Sequence, residues 1–155
     1  MTDQPSYPVD GRQSERALAI ARGTLRMLRG LDYAGLQEFT LADGRRADIF
    51  AVGGKGEIWI IEIKSSVADF MADGKWRDYL AFSDRFSFAV GPDFPQDLIP
   101  AEVGLIVADK YGAAIVREAQ EVPLAGARRK AVMLSFARVA AQRLHGLFDP
   151  DGWAS

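Results

Sequence analysis

No cysteine occurs in the 155 residues, and histidine occurs once. The first absence excludes disulfides, thiolate catalysis and cysteine-ligated zinc or iron–sulfur centres; the second excludes a histidine-rich metal site. Carboxylates are left as the plausible inner shell of any metal. No apolar run approaches the roughly 20 residues of a membrane-spanning helix. Met1–Gly11 is polar and proline-containing, without a signal-peptide core. The expected location is therefore the cytoplasm, with no membrane partner. An excess of positive charge is also lacking: 19 Lys and Arg against 21 Asp and Glu leave a formal net charge of −2 and a pI near 5.4. A general polyanion coater needs the opposite balance, whereas an enzyme that meets DNA at a local basic patch remains compatible.

What is present is ordinary for a globular domain: 48% hydrophobic and 26% charged residues. The length fits one domain with a full core. Residues 1–12 read as a flexible lead-in and 13–150 as a single domain. No internal repeat or low-complexity tract interrupts it.

The chain is organised around Arg45–Ser66, where two runs rich in Val, Ile, Phe and Trp flank Gly53-Gly54-Lys55-Gly56. Both runs have strand length and composition, and the glycines tolerate the positive φ that a tight hairpin needs. A three-residue loop, Gly54-Lys55-Gly56 with Gly56 left-handed, sets Asp48 opposite Glu62, Arg46 opposite Lys64, Phe50 opposite Ile60 and Val52 opposite Ile58. A two- or four-residue loop would turn Asp48 to the other face. Glu62 and Lys64, two apart, share a face with Ile58 and Ile60. The other face reads Trp59, Ile61 and Ile63 against Ala47, Ile49 and Ala51. Both faces are apolar over most of their length, as in a central sheet covered on both sides.

Carboxylates on such a surface are costly unless something pairs with them. A divalent cation resolves the conflict, because Mg²⁺ takes hard oxygen ligands, usually one or two carboxylates plus water and phosphate. Asp48 and Glu62 supply the carboxylates and the Ile63 carbonyl a third oxygen. Lys64 then sits where it can act on an attacking water or a developing phosphate charge. The expectation is a metal-dependent phosphodiester-cleaving site, with Mg²⁺ or Mn²⁺ as cofactor.

Asp48, thirteen intervening residues, then Glu62-Ile63-Lys64 resembles the pattern of the PD-(D/E)xK nuclease superfamily. Ala47 stands where the superfamily's name has proline. More closely, Arg45-Arg46-Ala47-Asp48, Glu62-Ile63-Lys64-Ser65-Ser66, Asp69-Phe70, Lys75-Trp76, Ala108-Asp109-Lys110-Tyr111-Gly112-Ala113 and Arg128-Arg129-Lys130 resemble the bacterial MmcB-type DNA-repair family, over roughly residues 12–150. The resemblance implies an α/β, restriction-endonuclease-like fold: a three-layer αβα core with a central mixed sheet, in the order α-β-β-β-α-β-β-β-α. It implies a role in DNA repair, with Asp48, Glu62 and Lys64 as catalytic residues, and a homodimer or other repair proteins as candidate partners. A first-helix glutamate assists the metal in related nucleases, which makes Glu15 a candidate ligand; a favourable charge at a helix N-terminus is the plainer reading.

The rest of the chain supplies the flanks. Leu18, Ala21, Leu25 and Leu28 recur at helical spacing over Ser14–Arg29, and Gly30 ends the helix. Leu36–Leu41 is the first strand. Gln37 or Glu38 could support the metal shell, although an exposed strand residue is the plainer account of Glu38. Arg45 and Arg46 are candidates for gripping backbone phosphates, and Arg46 is equally suited to neutralising the acids beside it. Ser65 and Ser66 leave the strand and cap a helix. Lys75–Phe82 reads as a further helix, with Trp76 in the core and Lys75 and Ser65 on the substrate side. Arg85–Val90, Val103–Ala108 and Ala113–Arg117 are strands, the last two joined by a turn at 109–112. Ala127–Phe148 is a long helix with Met133, Phe136, Ala137, Ala140, Leu144 and Leu147 as its apolar stripe. Arg128, Arg129 and Lys130 crowd its start against the helix dipole, which suits an anionic partner or a solvated surface. His145 reads as a packed or surface residue. Two functions stay open: a metal-dependent DNA endonuclease, and a catalytically inactive nucleic-acid-binding or adaptor domain on the same scaffold.

Overall fold

The structure is a computed structural model and describes residues 14–153, so the lead-in expected for 1–12 lies outside the described residues. Helix α1 (Glu15–Gly30) opens at Ser14, whose Oγ accepts a hydrogen bond from the Ala17 N–H. Three strands follow, β1 (Tyr33–Thr40), β2 (Arg46–Gly53) and β3 (Ile58–Lys64). Helix α2 (Val67–Ala72) and a 3-10 helix (Trp76–Phe82) lead to β4 (Arg85–Val90). Then come β5 (Gly104–Ala108), β6 (Ala113–Arg117) and α3 (Gly126–Phe148).

The six strands form one sheet in sequence order, β1 to β6. The β3–β4 and β4–β5 pairs are parallel and the other three antiparallel. A parallel pair needs a crossover; α2 and the 3-10 helix provide the one from β3 to β4. On one face α1 packs Ile20, Ala21 and Leu28 against Ile49, Trp59, Ile61, Ile63 and Ile106. Gly23 lets α1 approach this closely, because a Cβ there would lie 1.9 Å from the Asp109 carbonyl oxygen. On the other face Phe50, Ile58, Ile60, Phe86 and Phe88 meet Trp76, Tyr79 and Phe82 of the 3-10 helix and Val132 of α3. This is the mixed-sheet, three-layer core that was expected. Trp76 is in the core, stacked on Phe86 with centroids 5.6 Å apart.

The hairpin turn has the expected form. Gly53 N–H donates to the Glu57 carbonyl and Gly56 N–H to the Gly53 carbonyl, and Gly56 takes φ +86°. The register follows: Val52 faces Ile58, Phe50 faces Ile60 and Ile49 faces Ile61. Every residue of β3 is buried, Glu62 and Lys64 included. Its four isoleucines each contribute about 1.5–3 kcal/mol on full burial, enough to outweigh the several kcal/mol that one buried ion costs after relaxation.

Two expectations change. The apolar stripe of α3 divides: Met133 and Phe136 pack on the core, whereas Ala137, Leu144 and Leu147 are exposed. Only the stretch from Val132 to Val139 packs on the core cluster. The basic cluster at its start is also largely used internally. Arg129 makes a two-pronged ion pair with Asp84, Nη1 to Oδ2 and Nη2 to Oδ1, both 2.6 Å. Arg128 lies over the Phe82 ring, 4.8 Å from its centroid. Asp84 is 2% exposed and also accepts from the N–H groups of Ile58 and Leu124. It therefore ties β3, the start of β4 and the approach to α3 together.

Candidate active site

Strands β2 and β3 part just beyond the Ile49–Ile61 pair, and carboxyl groups take over from the backbone. The Asp48 N–H donates to Glu62 Oε1 at 2.9 Å, and the Ile63 N–H donates to Asp48 Oδ2 at 2.8 Å. Each acid thus holds the opposite strand's backbone, and the two carboxyls lie within hydrogen-bonding reach of each other. Burial pushes the Glu62 carboxyl well above its usual range; the Asp48 charge adds to this, and the Asp48 N–H and Lys64 pull back. Burial also raises Asp48, against the Ile63 N–H, Glu62 and Lys64. Both carboxyls therefore hold protons more tightly than usual, Glu62 the more strongly raised of the two.

The pair opens into a cleft of about 440 Å³, lined among others by Glu38, Arg46, Lys64, Ser65 and Asp69. Lys64 Nζ lies 2.9 Å from Asp73 Oδ2, on the segment leaving α2. The other oxygen of Asp73 accepts from the Lys75 N–H, so the turn that follows α2 aims the ammonium. Ser66 caps α2 by accepting from the Asp69 N–H, and the Asp69 carboxylate accepts from the Ser65 N–H. Below the acids, Tyr79 Oη donates to the Arg46 carbonyl at 3.1 Å. Burial, then the charges of Glu62 and Asp48, raise the Tyr79 hydroxyl, which keeps it a neutral donor.

Asp48, Glu62, Ile63, Lys64, Glu38, Arg46 and Ser65 come together here as the sequence suggests, while Glu15, Lys75 and Arg45 do not. Glu15 is exposed and not among the cleft residues, although its neighbours Ser14 and Ala17 are; the α1 turn faces it away. Lys75 is exposed and outside the cleft lining, contributing its backbone rather than its ammonium. Arg45 also lies outside, paired with Asp43 and Asp78. Arg46 pairs with Glu38, Nε to Oε2 at 2.5 Å, and Lys64 with Asp73. Asp73 and Arg143 are not singled out by the sequence, whereas Asp69 is, in the Asp69-Phe70 match. Asp73 beside Gly74 reads as turn chemistry, Tyr79 as core, and Arg143 as one charge on a long helix.

Glu38 has φ +52°, inside a strand. Its neighbours stay paired, Gln37 with Ile49 and Phe39 with Ala47, but no Glu38–Asp48 pair forms. The left-handed residue shifts the side-chain alternation, so Leu36 and Phe39 both pack on the core face that carries Phe50. Ala47 joins that face too, rather than the α1 face with Ile49 and Ala51 as the alternation implies.

Among the described residues no three His, Cys, Asp or Glu side chains cluster as a ready metal cage. Two buried carboxyls in an open cleft nevertheless fit Mg²⁺ or Mn²⁺, which need only one or two carboxylates and otherwise keep water and phosphate oxygen. Their raised affinity for protons is the cost that a cation would offset. Asp48 and Glu62 would hold it, with the Ile63 carbonyl as the backbone candidate. No helix is long and apolar enough to cross a membrane, among the described residues.

Residues 4–151 match the family model described as DNA repair protein MmcB-like. A solved structure of a protein of unknown function from Silicibacter pomeroyi is 50% identical, with a TM-score of 0.86; the match covers 90% of this chain and 95% of that one. None of the curated proteins matches.

Proposed function

The chain belongs to the MmcB-like DNA repair family, and we propose that within that role it hydrolyses DNA phosphodiester bonds with the help of Mg²⁺ or Mn²⁺. The observation that carries this reading is the reciprocal pairing of Asp48 and Glu62, two acids held together in a sheet where burial opposes their ionisation. A bound cation would supply charge neutralisation at the scissile phosphate and a more acidic water.

The chain's own groups provide the rest. Asp48 and Glu62, once deprotonated, form the anionic floor of the cleft. Each carboxylate is anchored by one backbone N–H, so little reorganisation accompanies loading. Lys64, steered by Asp73, places a positive charge at the rim, where it orients the attacking water and meets charge developing on the phosphate. Arg46 and Ser65 line the same cleft, where they would meet the phosphates on either side of the scissile one. The Lys64–Asp73 and Arg46–Glu38 ion pairs also suit a scaffold that binds DNA without cleaving it, and this second reading predicts binding that EDTA leaves unchanged.

The test is nicking of plasmid and of gapped, flapped and abasic oligonucleotides with Mg²⁺ or Mn²⁺. Asp48→Asn and Lys64→Ala should each reduce the rate by about a thousandfold or more while leaving the melting transition cooperative. Equal cleavage by the wild type and both variants, or none by any of them, removes the hydrolase.

A further inference from the structure

Arg143, near the end of α3, donates from Nη1 to the Gln37 carbonyl at 2.6 Å and from Nη2 to the Glu38 carbonyl at 2.8 Å. These two carbonyls flank the left-handed turn of β1, where φ is +52° at a glutamate. A non-glycine residue in that region is disfavoured and persists only when its surroundings fix it. The planar guanidinium fork does so by binding two successive carbonyls at once. The kink has a directional result. It breaks the alternation of β1, so the Glu38 carboxylate, 11% exposed, enters the cleft and meets Arg46 Nε.

Arg46 is held at two points. Tyr79 donates to its carbonyl, and Glu38 meets its guanidinium at Nε. The side chain remains 42% exposed, and its terminal amino groups carry no other hydrogen bond among the described residues. A guanidinium fixed by Nε and open at its far edge is prepared for two phosphate oxygens.

We infer that Arg143, Glu38 and Arg46 form a relay that builds a phosphodiester subsite beside the acid pair: Arg143 fixes the kink, the kink aims Glu38, and Glu38 aims Arg46 at the DNA backbone. Arg143 and Glu38 are positioning residues, and Arg46 makes the contact. The inference rests on reading the cleft as a DNA site, but not on hydrolysis there.

Simple electrostatics predicts the opposite sign for one variant, which makes the test sharp. Removing the Glu38 carboxylate removes negative charge beside the DNA and on that ground alone tightens binding; the relay predicts weaker binding. Glu38→Gly also preserves the fold, since glycine accepts positive φ freely. The experiment is fluorescence anisotropy of a labelled oligonucleotide in EDTA across a salt series, with melting curves for each variant. Arg46→Ala should weaken binding about tenfold and lower the salt slope by about one. Glu38→Gly and Arg143→Leu should each weaken it several-fold in the wild type and add nothing in the Arg46→Ala background; Arg143→Lys should recover part of the loss. Tighter or unchanged binding by Glu38→Gly overturns the relay, as does a further loss from Arg143→Leu in the Arg46→Ala background. Should Arg143→Leu fail to fold, the Glu38→Gly arm still decides. A wild type that binds no DNA overturns it as well, whereas one that binds without cleaving removes the hydrolase and leaves the relay standing.

Discussion

Asp48 and Glu62 hold each other's strands: the Asp48 N–H donates to the Glu62 carboxyl, while the Asp48 carboxyl accepts from the N–H of Ile63, the residue after Glu62. The backbone ladder between β2 and β3 ends at the Ile49–Ile61 pair. Side-chain oxygens therefore satisfy donors that an uninterrupted hairpin would pair with carbonyls. The sheet gains an opening without leaving these amides unpaired, which would cost about 1–3 kcal/mol each.

The pair should make stability without metal depend on pH in an unusual direction. Both folded carboxyls hold protons more tightly than their ordinary values of 3.8 and 4.5. Between those values and the raised folded ones the native state binds more protons than the unfolded, so stability falls as pH rises. Thermal melts in EDTA should show this decline above about pH 4.5, at up to about 1.4 kcal/mol per unit for each proton retained. Glu62→Gln, which keeps the acceptor for the Asp48 N–H, should remove most of the slope and melt higher than the wild type at pH 8. Millimolar Mn²⁺ should stabilise the wild type and leave Glu62→Gln nearly unmoved.

Asp73→Asn separates aiming from binding. Its carboxylate sets the direction of Lys64 but is not among the cleft-lining residues. Cleavage should slow by about tenfold or more, with Mn²⁺ affinity by calorimetry within about twofold of the wild type. An equal loss in both would mean that Asp73 supports the metal shell instead.

Asp84 and Arg129 form the main ionic lock of the fold. Burial works to raise the Asp84 carboxyl, but the Arg129 hydrogen bonds, the N–H groups of Leu124 and Ile58 and the Arg129 charge together hold it below its usual range. That contribution is present above the unfolded value of 3.8 and is lost as pH falls through the lower folded one. Arg129→Ala strands an almost fully buried carboxylate and should cost about 3–5 kcal/mol in urea unfolding at pH 7. Asp84→Asn combined with Arg129→Leu should cost less than Arg129→Ala alone, because no charge is left unpaired.

The hairpin loop controls the site from a distance. Gly56→Val forces a branched side chain to φ +86° and should destabilise by about 1–2 kcal/mol. Inserting one glycine after Gly54 should do something different. If the added residue shifts the register, Asp48 turns away from Glu62; Mn²⁺ binding, read by electron paramagnetic resonance, should then disappear from a protein that remains folded.

The acid pair was legible because every step to it is local. Gly54-Lys55-Gly56 fixes a three-residue turn, the turn fixes the register, and a period of two then decides which side chains share an edge. Trp76 and the covered sheet were legible in the same way, from apolar pattern alone. Glu38 was harder to place, since nothing in Leu-Gln-Glu-Phe announces a left-handed residue, and that one torsion resets the alternation on which strand reading depends.

The sequence by itself determined the order of elements, the central sheet and the meeting of Asp48 with Glu62, because backbone periodicity and turn chemistry act over a few residues. Only the tertiary structure decided which charges are left for a ligand. Lys64 found Asp73, Arg129 found Asp84, and Arg143 reached the carbonyls of Gln37 and Glu38. Such partners are chosen by how layers stack in space, where Coulomb attraction and hydrogen-bond geometry depend on distances that have no period along the chain.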